Sequence, residues 1–169
     1  MYKITRLICA GVVLWVGVVP VAQAASLPVG RASVGRSDLT AAARRIIPQA
    51  QRGDAHAQAV LGFMYANGRG VPQSYDVAVD WYLRSAEQGD PTGQYLLGLM
   101  YDKGFGVAQN VIFAHKWVNL AAAHAPRHNR ENILRLRDAL ASKMTLQQIE
   151  LAQQLAIDFV PSRRTTAGP

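Results

Sequence analysis

The feature that most constrains this chain is an internal repeat. Shifting the segment from Gln58 to Ala86 by 36 positions lays it on Gln94 to Ala122. Leu61-Gly62 then falls on Leu97-Gly98, and Met64-Tyr65 on Met100-Tyr101. Gly68-x-Gly70-Val71-x-Gln73 falls on Gly104-x-Gly106-Val107-x-Gln109, Ala78 on Ala114, and Trp81 on Trp117. The junction Gly53-Asp54 recurs as Gly89-Asp90. More than a dozen identities at one fixed offset mean that a single supersecondary unit has been copied, so the chain must fold as a stack of such units.

Each unit reads as two helices. Asp54 is a good N-cap, and apolar positions 57, 61 and 64 follow at helical spacing. Gly68 stands where a left-handed residue ends a helix, and Pro72 keeps a helix from running through the connector. Ser74 caps a second helix that stops at Gly89. In the next copy Asp90 is the cap and Pro91 occupies the first helical position, where its missing N–H is harmless. At about 100° per residue, Ala57, Leu61, Met64 and Tyr65 form one stripe, read as core. Gly62 and Gly98, just off that stripe, let the paired helix approach closely. Trp81 and Trp117 are expected to face inward and fill the space between layers.

The pattern Ala57-Gln58-x-x-Leu61-Gly62-x-Met64-Tyr65-x-x-Gly68-x-Gly70-Val71-x-Gln73, followed by Ala78-x-x-Trp81-Tyr82 and Ala86-Glu87-Gln88-Gly89, resembles the Sel-one-like repeat, a relative of the tetratricopeptide repeat. A second copy covers Gln94 to Ala122, so the resemblance spans about 70 residues. It implies an all-α fold, a short right-handed α-solenoid of stacked antiparallel helix pairs with about seven helices, used as an adaptor or scaffold. Some secreted members of that family are stapled by disulfides. This chain lacks those cysteines, so functions tied to that branch do not transfer.

Two units rarely stand alone, and the flanks supply more. Residues 38–52 align with a second helix at the same offset, Ala42 with Ala78 and Ala50 with Ala86, although Pro48 is expected to bend or shorten it. After the second unit, Ile133 and Leu136 continue the Leu61/Leu97 and Met64/Met100 positions. Thr145 with Gln148 is a capping-box pattern that opens a last amphipathic helix. The expected organisation is repeats at about 54–89 and 90–125, capping helices at 127–159, a repeat domain over 38–160, and disordered segments at 25–37 and 161–169.

The first 24 residues read as an export signal: Lys3 and Arg6, an apolar run from Leu7 to Val19, a break at Pro20, and Ala22-Gln23-Ala24 before Ala25. The run is shorter than the roughly 20 apolar residues of a membrane span. Removal would leave 145 of 169 residues, take away the single cysteine, Cys9, and lower the formal net charge from +7 to +5. The expected location is therefore periplasmic or secreted, with no thiol chemistry and with an ordinary packed core drawn from a 50 % hydrophobic composition. The remaining positive charge sits at the two ends. It allows weak contact with anionic envelope surfaces but carries no aromatic-basic pattern for nucleic acid.

Catalytic constellations are missing from the sequence. His124 and His128 are four apart, but Pro126 breaks the helix between them and no further ligand completes a metal site. His56 and His115 read as isolated surface histidines. Gly68-Arg69-Gly70 and Gly104-Phe105-Gly106 lack the strand and the Gly-Lys-Ser/Thr ending of a phosphate loop. Asp76 and Asp80 read as a solvated pair. No cofactor and no metal is expected, and the alternative of a cell-envelope hydrolase or cell-wall-binding accessory factor has no motif behind it. Binding has a positive feature. On the side of the first helices opposite the core stripe lie His56, Ala59 and Phe63, and in the second copy Thr92, Tyr95 and Leu99. These six differ between copies and are expected to line a concave apolar groove for a protein or peptide partner.

Overall fold

The computed structural model describes residues 35–162, and the expected export signal, residues 25–34 and the tail from 163 lie outside the described residues. Among the described residues it contains seven helices and no strand. They are α1 (Arg36–Gln51), α2 (Ala55–Asn67), α3 (Tyr75–Glu87), α4 (Pro91–Lys103), α5 (Val111–His124), α6 (Arg127–Ala141) and α7 (Leu146–Ile157). The helix pairs α2–α3 and α4–α5 are the two copies.

The copies are built by the same local bonds. The Asp54 and Asp90 carboxylates accept the N–H groups of Ala57 and Gly93, both at 2.8 Å. Gly68 and Gly104 end the first helices in the left-handed region, with φ of 63° and 70°. Gln73 Nε2 then donates to the Ala66 carbonyl at 2.9 Å, and Gln109 Nε2 to the Asp102 carbonyl at 2.7 Å, pinning each connector to the helix it leaves. Ser74 and Asn110 accept the first N–H groups of α3 and α5. These ends of α2 to α5 thus find partners for groups that would otherwise be orphaned.

Gly62 and Gly98 are the points of closest approach within the pairs. A Cβ on Gly62 would stand 2.7 Å from the Tyr82 ring and 3.0 Å from the Ala78 carbonyl oxygen. On Gly98 it would stand 2.6 Å from Val118 Cγ2 and 3.1 Å from the Ala114 carbonyl oxygen. Only a residue without a side chain fits at either place.

Helix α1 acts as the second helix of a unit upstream of the first full copy. Gln58 Nε2 donates to the Ala50 carbonyl at 3.1 Å, and Gln94 Nε2 to the Ala86 carbonyl at 3.3 Å. The Asp54 N–H reaches the Gln49 carbonyl as the Asp90 N–H reaches that of Ser85. Both pairs are related by the repeat offset, so α1 meets α2 as α3 meets α4. The helix starts at Arg36, two residues earlier than expected, because the Asp38 carboxylate accepts the Gly35 N–H at 3.1 Å and fixes its first turn. Pro48 does not end it. The ring lies on the exposed side, and the helix runs on to Gln51.

The core is laid down in three adjoining clusters, around Ala50, Ala57 and Leu61, around Tyr82, Leu97 and Trp117, and around Val118, Ala121 and Ile133. The two tryptophans are not equivalent in depth. Trp117 is 5 % exposed, because the ring of Phe159 closes over it at 5.3 Å, edge to face. Trp81 is only partly buried. It packs on the Ala50–Ala57–Leu61 cluster, with the Arg84 guanidinium 4.9 Å from its ring centre. The deeply buried aromatic of the first copy is its neighbour Tyr82, at 1 % exposure. The chain after α7 explains this asymmetry: Phe159 lands on Trp117, and Ser162 donates its N–H to the Glu87 carbonyl at 2.7 Å. Pro161 and Ser162, expected to be disordered, are held by that bond at the end of α3.

Candidate binding groove across the first helices

Helices α2, α4 and α6 present one face of the stack, and a groove of about 390 Å³ runs across it. Helix α2 contributes Ala59, Val60 and Phe63, and α4 contributes Pro91, Thr92, Tyr95 and Leu96. The third wall is Ala125 and Pro126 with Asn129, Asn132 and Ile133 from the start of α6. None of these lining residues is charged.

Four of the six expected groove residues meet here. Ala59 does so from below: it is 0 % exposed and forms floor rather than rim, since so small a side chain lets α4 close over it. Phe63 is 37 % exposed, a large ring left to solvent, with the Arg69 guanidinium 5.1 Å from its centre. Thr92 is exposed and Tyr95 partly so. The other two stand elsewhere. His56 turns to Asp90, its Nδ1 3.8 Å from the carboxylate and its side chain 71 % exposed. Leu99 is partly buried and does not reach the wall. The α6 wall was missed from sequence because 129–142 reads as degenerate scaffold. The signal was there in Asn129, Asn132 and Ile133, spaced to share one helix face.

Three titratable side chains of the stack, Tyr82, Asp102 and His115, are buried. His115, expected on the surface, is 3 % exposed, and its Nδ1 has no hydrogen-bond partner. Burial pulls its pKa below the usual histidine range, with the Arg137 charge adding to the effect and Asp138 opposing it. Burial likewise raises the Tyr82 hydroxyl and lowers the Lys116 ammonium, which lies over the Trp117 ring at 4.6 Å. Asp102, 8 % exposed at its side chain, pairs with Lys103 at 2.9 Å and with Lys143 at 3.8 Å, tying the end of α4 to the end of α6. His124 and His128 are both exposed, on either side of the break at Ala125-Pro126. Among the described residues no group of three or more His, Cys, Asp or Glu comes together as a metal set. The groove offers shape and apolar surface.

A profile of the Sel1 repeat matches residues 55–90 and 91–125, which are the α2–α3 and α4–α5 pairs. The chain carries two Sel1 repeats. Solved structures agree. A protective antigen of uropathogenic Escherichia coli strains, displaying an SLR fold, is similar over 74 % of this chain and 26 % of its own, at 26 % identity and a TM-score of 0.68. A Sel1 repeat protein from Oxalobacter formigenes is similar over 53 % of this chain and 26 % of its own, at 35 % identity and a TM-score of 0.51. The chain therefore spans about a quarter of the length of either. No curated protein matches it significantly. Sel1 repeats are generally scaffolds for protein–protein interaction and generally non-catalytic, and in this chain the groove lies on the first helices of both.

Proposed function

We propose that this chain is an exported Sel1-repeat adaptor that holds a protein or peptide segment in the groove across α2, α4 and α6. The observation that carries the reading is the groove wall itself: Phe63, exposed, and Tyr95, only partly buried by the chain's own fold, facing a neutral, largely apolar trough of about 390 Å³. Leaving such rings in water is unfavourable in isolation, and aromatic side chains at the centre of a recess are where binding energy concentrates. With no charged lining, the partner segment is itself uncharged where it sits. Thr92, Tyr95, Asn129 and Asn132 carry side chains able to bond its backbone.

Capture from envelope extract tests this. The Phe63→Ala/Tyr95→Ala double variant should lose the partner while its helical signal is unchanged, since hot-spot rings are typically worth about 2 kcal/mol or more each. A variant replacing the exposed His56, His124 and His128 should still capture it. Loss with the histidine variant and none with the groove variant would reverse the assignment.

Export is the second half of the proposal. It rests on Lys3, Arg6, the short apolar run and the Ala22-Gln23-Ala24 site. N-terminal sequencing of the envelope-derived protein should begin at Ala25. A membrane-bound form beginning at Met1 would contradict it.

A further inference from the structure

Helix α6 has a second face. Its Asn129 and Ile133 side walls the groove, and its Arg130, Leu134 and Arg137 side looks away from it. Helix α7 does not close that second side. It lies against α5 and makes little contact with α6, so a cleft of about 500 Å³ stays open between them. The floor is mostly apolar, made of Leu120, Ala122, Ala123, Leu134 and Ala156 with Asn119 beside them, and Ile157 stands at the edge, 76 % exposed. Arg130 and Arg137 line it, and no carboxylate does.

We infer that this cleft docks an acidic amphipathic helix of another protein, its apolar stripe on the floor and its carboxylates on Arg130 and Arg137. The two arginines are seven residues apart, which places them on the same side of α6 about 10 Å apart along its axis. Carboxylates seven residues apart on a partner helix repeat at that same distance and also share a face. An extended peptide presents one face every ~6.7 Å and misses that spacing, and an amphiphile with one anionic head satisfies only one arginine. The two alanines of α5 leave room for a helix axis to come close, so the incoming helix completes the layer that α6 and α7 leave open.

Both arginines have donors to spare. A guanidinium carries five N–H groups. Arg130 gives one to the Ala123 carbonyl at 3.3 Å, and Arg137 gives two to Asp138, whose side chain is 67 % exposed. Arg137 is itself only 34 % exposed, but the carboxylate side of the pair is open to solvent, and a pair open in that way is weak enough to yield to a better-placed acceptor. The residues flanking the described part also lack the needed negative side chains. Residues 25–34 contain Arg31 and no acid, and residues 163–169 contain Arg163 and Arg164 and no acid. A second copy offers Asp80 and Glu87 at the right spacing on α3, but exposed Arg84 lies between them and would oppose the cleft.

The test uses the full chain and a fluorescein-labelled synthetic helix with a Leu/Ala stripe edged by glutamates at seven-residue spacing, read by fluorescence anisotropy. This peptide should bind, and its lysine-for-glutamate counterpart should not. The Arg130→Glu/Arg137→Glu variant should weaken the acidic peptide about tenfold or more and gain affinity for the lysine peptide. Raising salt from about 0.05 M to about 0.5 M should weaken the native pair. Ile157→Lys, at an exposed edge, blocks the floor without touching the core and should also weaken binding, whereas Phe63→Ala/Tyr95→Ala should leave it unchanged. Equal binding of both peptides, or indifference to the charge reversal, would overturn the inference. So would sedimentation showing self-association that the charge reversal abolishes, since the occupant would then be a second copy.

Discussion

Replacing Gly62 by alanine tests how the repeats are packed, because the expected sign is opposite to the ordinary one. In an exposed helix interior the change from glycine to alanine stabilises by about 1 kcal/mol. Here the new methyl would stand 2.7 Å from two carbons of the Tyr82 ring and 3.0 Å from the Ala78 carbonyl oxygen. Tyr82 is 1 % exposed and has nowhere to swing, and the carbonyl belongs to the backbone of α3. Relief requires α2 and α3 to separate. Overpacking of a tight core costs about 1–3 kcal/mol, and a contact with both ring and backbone belongs at the upper end. Set against the propensity gain, the net is a loss of about 2 kcal/mol. For a domain of this size that is roughly 6–8 °C in Tm. Gly98→Ala should behave alike, since its methyl meets the Val118 side chain at 2.6 Å, and a helical valine is stiff at χ1. Thermal melts followed by circular dichroism give the answer. An unchanged or higher Tm for Gly62→Ala would show that the pair does not pack as closely as described.

The remaining predictions concern the C-terminal cover, a buried histidine and the groove rings. Trp117→Ala should cost on the order of 3–5 kcal/mol, and a double-mutant cycle with Phe159→Ala should show coupling of about 0.5–1.5 kcal/mol. The same cycle between Trp81 and Phe159 should give none; urea titrations measure all of these. His115 has a folded pKa below its unfolded one, so the unfolded chain binds more protons and stability falls as pH drops below about 6.5. His115→Gln should flatten that slope in melts run between neutral and mildly acid pH, and an unchanged slope would refute the buried, neutral assignment. Phe63→Ala should shift stability by no more than about 1 kcal/mol, because its ring is exposed rather than core; a large loss by urea titration would mean that the ring supports the fold.

The period carried most of the fold. Identical residues at a fixed offset placed both caps, both left-handed glycines and both close-approach glycines, and Ala42, Ala50 and the Gly53-Asp54 junction together marked α1 as part of a further unit. The bonds from Gln58 and Gln94 to carbonyls 36 residues apart are what that repetition becomes in three dimensions. What lay beyond reach was whatever the period does not encode. Phe159 on Trp117 and Ser162 on Glu87 join residues 42 and 75 apart in a single-copy segment with no register to read. They explain why two identical tryptophans differ in depth. His115 looked like surface by its residue type, although its counterpart in the first copy is Val79, and the burial of that position carries over. The groove was half legible. Helix periodicity found Ala59, Phe63, Thr92 and Tyr95, but the third wall depended on where α6 turns after Pro126, Leu99 falls short of the wall, and His56 was claimed by Asp90 instead.

The claim that the α2–α4–α6 groove is the partner site is tested most directly by site-specific photocrosslinking in cells. A benzophenone amino acid at Thr92, exposed on the groove wall, is compared with the same group at Asp76, exposed on α3. The account predicts a discrete protein or peptide adduct from position 92, lost when Phe63→Ala/Tyr95→Ala is added, and none from position 76. Adducts of equal yield from both positions, or from position 76 alone, would contradict it.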